Sequence, residues 1–424
     1  MWVQPAFLER KQKSLYFTLM REVRDGKLSN FTKHYRMTPR LFDVLLSFVE
    51  DDLTRQHVVR EPLEPGERLA ITLSYLASGK DIREVANMYL VGIETARISI
   101  HLTCRAIWTN LRHRFMKVPT GEDWCQIAEA FAEQWQFPNC VGAIGGRHVT
   151  IATPSRSSGG YLNHKNTSSV VLLAAVDSSC RYILVDVCTE SRPLGSNIFE
   201  DSELGKAICS GALGVPTAAS LPNTGGTLAP YVFVGDDTFS PRKHLVSPFP
   251  GEQVEDENAV FNYRLNRAQR CAENALGLTA ARWRVLLRTV HLKPCNIDYV
   301  IKATCMLHNF LIDMNTQQFA DVEDGAGNLT PGLWRKYIKQ TDLEAHYFPL
   351  EVAAGVEDCS AEAAHARNLF MAYFCSGMGE VPWQWQQAGV SSEDELGRAT
   401  TSPTSLVKGD SFLIGSCGTK YQPS

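Results

Sequence analysis

Along the first third of the chain, apolar residues recur at helical spacing. Leu41, Leu45, Leu46 and Val49 share one face, and Thr38-Pro39 supplies an N-cap followed by proline at the first helical position. Residues 67–78, with Leu69, Ala70, Leu73 and Leu76 on one side, predict an amphipathic helix that stops at Gly79. Asp81 opens another through Ile82, Val85, Ala86 and Tyr89. Gly92 turns the chain, and a longer helix follows over about 94–111. Helix, tight glycine turn, helix is the pattern of a candidate helix-turn-helix at 81–111. Arg97, His101 and Arg105 are its plausible base or phosphate contacts. The same pattern also suits an ordinary hairpin inside a helical bundle.

From Phe137 the period changes. Apolar, β-branched runs at 140–144, 148–152, 169–176, 182–188 and 230–234 predict strands. Asp177-Ser178-Ser179 reads as a hairpin turn, so the strands around it are expected to be antiparallel. A helix is expected near 197–209, and helices return at 262–278, 296–314 and 361–374. Residues 211–229 and 240–260 read as long loops. The expectation is a mixed α/β fold after an all-helical N-terminal region. Its parts are a helical region at 1–135, an α/β domain at 136–316, a C-terminal helical extension at 317–386 and a disordered tail at 387–424.

Composition narrows the class. At 424 residues, 44% hydrophobic and 21% charged, the chain is ordinary globular protein. Its longest apolar run, Val170 to Val176, is too short to cross a bilayer. The first residues show no secretory pattern, and twelve scattered cysteines show no zinc spacing. A nuclear and cytoplasmic protein with reduced thiols is expected. The net charge of −4 disfavours coating nucleic acid by bulk attraction, so any such contact must be local.

The candidate chemistry lies in two acids. Asp236 ends the strand Tyr231-Val232-Phe233-Val234-Gly235, and Glu273 stands in the helical run Glu273-Asn274-Ala275-Leu276-Gly277. A strand-end acid and a helix acid, joined by a third on a neighbouring strand, can hold two divalent ions and cut phosphodiesters. The natural third position follows Cys140-Val141-Gly142-Ala143-Ile144, and it is Gly145.

Ordered motifs around these acids run Phe137-Pro138-Asn139-Cys140-Val141-Gly142-Ala143-Ile144, Gly146-Arg147-His148-Val149 and Tyr161-Leu162-Asn163-His164-Lys165. They continue through Val234-Gly235-Asp236, Phe261-Asn262-Tyr263-Arg264 and Glu273-Asn274-Ala275-Leu276-Gly277 to Leu307-His308-Asn309-Phe310-Leu311. With these motifs the chain resembles the PIF/Harbinger transposases and the host proteins domesticated from them, over roughly 35–385. The resemblance implies an RNase H-like fold at 136–316 with a DDE-type site for Mg²⁺ or Mn²⁺. Asp236 matches the family's strand aspartate and Glu273 its helix glutamate, as catalytic and metal-holding residues. Family acids fall on Gly145 and, if Ile198-Phe199 anchors the alignment, on Gly195.

Cleavage is therefore expected to be weak or lost, with DNA as the ancestral substrate. The family often relies on a Myb-like partner for DNA recognition and nuclear entry. Arg264, Arg267 and Arg270 share one helical face leading to Glu273 and are expected to contact phosphate, as are Lys165, Arg97 and Arg105. His148 is expected beside the cleft or in a structural hydrogen bond, and His308 in the core. An active metal-dependent nuclease and a protein-interaction scaffold without a DNA role stay open as alternatives.

Overall fold

A computed structural model of the chain describes residues 7, 9–55, 62–153, 161–189, 198–251, 254–314, 320–351 and 360–390. Gly195 and most of the expected tail lie outside these residues. The N-terminal region is helical as expected: α1 (Leu15–Arg24), α2 (Ser29–Tyr35), α3 (Pro39–Leu53), α4 (Pro65–Ser78), α5 (Ile82–Tyr89), α6 (Ile93–Phe115) and α7 (Gly121–Trp135). Local chemistry sets their ends. The Leu41 N–H donates to the Thr38 hydroxyl at the start of α3, and the Arg83 N–H donates to Asp81 at 2.7 Å at the start of α5. Gly79 ends α4 at φ +64°, where a side chain would be strained. The expectation for α4 is corrected in one respect: residues 66–77 are buried on every side, so it is a central helix and not an amphipathic one.

The sheet comprises β1 (Cys140–Thr150), β2 (Ser169–Val176), β3 (Tyr182–Cys188), β6 (Val232–Gly235), β7 (Leu245–Val246) and β10 (Tyr347–Pro349). Its order is β3-β2-β1-β6-β7, with β10 also on β1. The first three strands are antiparallel neighbours, while β6 runs parallel to β1 and β7 parallel to β6. The sheet is mixed, parallel and antiparallel, as expected. At the β2–β3 turn, Asp177 accepts the N–H groups of Ser179 and Arg181, both at 2.9 Å.

Three expectations change. The runs at 140–144 and 148–152 are one strand, continuous through Gly145-Gly146. The loop at 211–229 contains a hairpin of β4 (Ala218–Ser220) and β5 (Leu228–Pro230), and the loop at 240–260 contains β7. The helix near 197–209 is broken at Ser202, which caps α8 (Glu203–Cys209).

Two long helices, α9 (Asp256–Arg282) and α10 (Pro294–Asp313), lie on one face of the sheet. The apolar cluster there runs without a break from Val170, Leu172 and Ala174 through α9 and α10 into α3, α4 and α6. A second cluster, on the other face, joins Val171, Leu173, Ile144 and Phe233 to Trp124 of α7. The helical region and the sheet thus share one core.

The 320–390 segment is not purely helical. It holds a hairpin of β8 (Val322–Glu323) and β9 (Leu329–Thr330), then α11 (Trp334–Tyr337), α12 (Gln340–His346), β10, α13 (Ala361–Phe374) and α14 (Gln384–Gln387). Within α10, His308 is buried and its Nε2 lies 2.8 Å from the Cys180 carbonyl, in the core as expected. Beside it, fully buried Asn309 bridges three segments. Its amide donates to the carbonyls of Phe115 and Tyr182 at 2.7 and 2.8 Å, and its oxygen accepts the Tyr182 N–H at 2.9 Å. Replacing it leaves these backbone groups dry and unpaired. Asn309→Ala is expected to cost about 2–4 kcal/mol in denaturant unfolding, and a loss below about 1 kcal/mol would show that the bridge is dispensable.

Candidate functional site

The site lies where the neighbour of β1 changes. Along one edge β1 pairs with β2 from Ala143 to Thr150. On the other edge β6 accompanies it only as far as Ile144, opposite Gly235, and β10 begins at Arg147. Gly145 and Gly146 occupy the gap. Gln269 of α9 reaches into it and donates to the Ile144 carbonyl at 2.5 Å.

Asp236 follows the Ile144–Gly235 pair and so ends β6 beside Gly145. It is half-buried. Its Oδ1 accepts the Thr238 N–H at 3.0 Å and the Thr238 hydroxyl. Burial raises its pKa above the usual 3.8, against the opposing pull of those hydrogen bonds and of the Arg147 charge. Asp236 therefore caps its own turn, and its other oxygen has no hydrogen bond among the described residues.

Glu273 lies on α9 with its side chain 45% exposed. Its partner is not Arg270, three residues back, but Arg335 of α11, at 3.2 Å. Arg335 is in turn held by both oxygens of Asp321, at 3.0 and 2.6 Å, and lies over the Trp334 ring. Asp321 is buried, which opposes its ionisation, yet Arg335 and the Gly332 N–H hold its pKa below the ordinary value. The rest of the Glu-Asn-Ala-Leu-Gly motif explains this docking. Asn274 accepts from the Trp334 indole at 2.9 Å and from the Asp321 N–H at 3.2 Å. A Cβ on Gly277 would stand 2.5 Å from the Trp334 ring. The motif that carries the acid also seats the C-terminal segment.

At Gly145, a Cβ would meet Leu276 Cδ1 at 2.8 Å and the Ala272 methyl at 3.2 Å. The place for a strand carboxylate is crowded by helix α9. Ala268, Cys271, Ala272 and Ala275 are small, which lets the helix come this near. A divalent-metal pair needs several carboxylate oxygens facing one point. Here one oxygen of Asp236 caps a turn, Glu273 is ion-paired, and position 145 has no side chain. Among the described residues no three His, Cys, Asp or Glu side chains are grouped to hold a metal ion. The residues present do not fit a metal pair.

The arginines expected at phosphate are used differently. Arg264 is 1% exposed and donates to the Gly379 carbonyl, to Gln384 and to the Gln136 carbonyl, with its guanidinium over Phe374. Arg267, 3% exposed, pairs with Glu323 at 2.9 Å, and Arg270 reaches the same carboxylate at 3.4 Å. The three do share a helical face, but β8 and the segment around Gly379 and Gln384 cover it. Arg97 pairs with Glu94 near the start of α6, and Arg105 is exposed farther along it. His148 is buried against Ser169 and stacked on Phe348, and burial pushes its imidazole down to about 4, with His164 and Lys165 adding to the shift.

Lys165 does line a cleft, of about 630 Å³, together with Glu273, Arg147, Arg335, Trp334, Glu344 and Phe348. Arg147 and Arg335 were not singled out as site residues from the sequence. Arg147 was legible, standing two residues beyond Gly145 on the same face of a strand. Arg335 was not, because its approach depends on folding back a segment about sixty residues distant.

The raised pKa of Asp236 makes a prediction. A carboxylate with a higher pKa folded than unfolded holds its proton better when folded. Its penalty is thus absent below the unfolded value near 3.8 and grows as pH rises through the folded one. Asp236→Asn keeps the turn-capping oxygen and drops the charge. Its melting temperature is expected to equal or exceed that of the original protein at pH 7, with the gap closing as pH falls towards 3.8. A variant melting several degrees lower at pH 7 would show the charge to be stabilising.

Residues 144–309 match the family model described as DDE superfamily endonuclease. The chain is 24% identical over 299 residues to the Arabidopsis thaliana protein ALP1-like, covering 69% of this chain and 72% of that one. It is 24% identical over 321 residues to Antagonist of Like Heterochromatin Protein 1 of the same plant, covering 74% and 80%. Against the candidate nuclease HARBI1 of Mus musculus it is 23% identical over 336 residues, covering 75% and 89%. No solved structure matches. Residues 144–309 thus carry the features of a DDE superfamily endonuclease domain, and over about three quarters of its length the chain is similar to these three proteins.

Proposed function

We propose that this protein is a DNA-directed member of its family in which phosphodiester cleavage is impaired. In this reading Asp236 and Glu273 are the remnants of the metal-holding acids. DNA is the ligand the protein meets, in the nucleus, and a Myb-like partner assists recognition. The observation that carries the reading is the junction at Gly145, where Leu276 and Ala272 stand against the strand in place of a carboxylate. Losing a metal-bound carboxylate removes several kcal/mol of transition-state stabilisation, or roughly three decades in rate.

The close approach of α9 also changes what repair requires. Gly145→Asp by itself pushes on Leu276 and Ala272, so a second change must make room. In a Mn²⁺-dependent assay on labelled duplex DNA, the original protein and Gly145→Asp are expected to be silent. Gly145→Asp/Leu276→Ala, with Gly195→Asp added, is expected to regain measurable cutting. If the original protein cuts and Glu273→Ala abolishes it, the impairment reading is overturned. If the repaired variant folds yet stays silent, Asp236 and Glu273 lose their assignment as metal-holding remnants.

A further inference from the structure

We infer that the cleft is a metal-free receptor for the phosphate groups of nucleic acid, with Arg147 and Lys165 supplying the positive charge that divalent ions would otherwise bring. The inference rests on the nuclease-like reading and adds to it the chemistry of binding. Arg147 projects from β1 on the Gly145 face and lines the cleft. It is partly buried, the only hydrogen bond of its guanidinium among the described residues is to the neighbouring Gly146 carbonyl, and it has no ion pair among them. Lys165, also lining the cleft, is exposed, donates to the Glu344 carbonyl at 2.7 Å and lies 4.1 Å from the Phe348 ring centre. It too has no ion pair among the described residues.

The carboxylates of the cleft are engaged by other groups. Glu273 faces Arg335, and Glu344 accepts from Gln340 at 2.9 Å. Arg335 is shared between Glu273 and Asp321, so it acts as a fixed wall. What remains is Arg147 and Lys165, neither in an ion pair among the described residues, facing a cavity large enough for a phosphodiester segment. A guanidinium presents paired N–H donors that suit phosphate oxygens, and an ammonium adds a compact point charge.

The test is duplex DNA binding by the full chain at several salt concentrations, in Mn²⁺ and in EDTA, with tripolyphosphate as a small probe. Affinity is expected to be equal in Mn²⁺ and EDTA. Arg147→Gln and Lys165→Gln are each expected to weaken it roughly tenfold. Each should also flatten the plot of log affinity against log salt by about 0.9. Lys165 is exposed, so its variant keeps the test alive if Arg147→Gln folds poorly. Binding abolished by EDTA overturns the inference and leaves the nuclease-like reading in place, as does DNA binding that neither variant changes. If DNA does not bind but tripolyphosphate raises the melting temperature of the original protein and not of Arg147→Gln, the anion site stands and the DNA reading falls. Binding of neither probe overturns the site itself.

Discussion

The close approach of helix α9 to strand β1 at Gly145 is the constraint around which the other features of the site arrange themselves. A helix reaches a strand this nearly only where both present small groups. Here Gly145 on the strand meets Ala272 on the helix, with Leu276 filling the remaining space. This contact is part of the main core, continuous with the N-terminal helices, so it cannot loosen without disturbing them. It also fixes which way the next residue on the helix can point. Glu273 is turned towards the cleft, where Arg335 meets it. Within this geometry a glycine at position 145 is a packing element as much as a missing ligand.

Much of the fold could be read from local chemistry. The caps at Thr38 and Asp81, the stop at Gly79 and the turn at Asp177 are short-range devices whose geometry is written in a few neighbouring residues. What could not be read depends on distant partners. Gly145-Gly146 reads locally as a break between two strands. It is continuous in the fold because β2 pairs along the whole stretch. Arg264, Arg267 and Arg270 read as a basic track because arginine is usually at the surface. They are buried because Glu323, Gln384 and the Gly379 carbonyl come back over them from 53 to 120 residues away. The acids Asp236 and Glu273 could be found by motif. Their neighbours Arg147 and Arg335 could be recognised only once the cleft had walls.

The electrostatic balance of the site follows from the same arrangement. In a metal-dependent nuclease, carboxylates repel one another until divalent ions join them. Here fixed cations from the chain take that part. Arg147 acts on Asp236, and Arg335 is shared between Asp321 and Glu273. The acids are thus partly compensated without any ion, and the demand for one is correspondingly lower.

Strand β10 carries a consequence for how the molecule is made. Residues 347–349 complete the edge of β1 opposite 147–149, a separation of 200 residues. On a ribosome, β1 and β2 emerge and can pair long before this last strand is available. Throughout that interval the edge of β1 beyond Ile144 offers unpaired N–H and C=O groups to any other extended chain. The wall of the cleft is therefore the last part of the sheet to be synthesised. A product stopped anywhere between the end of α10 and β10 would carry the apolar core of the protein with an open seam in its central strand.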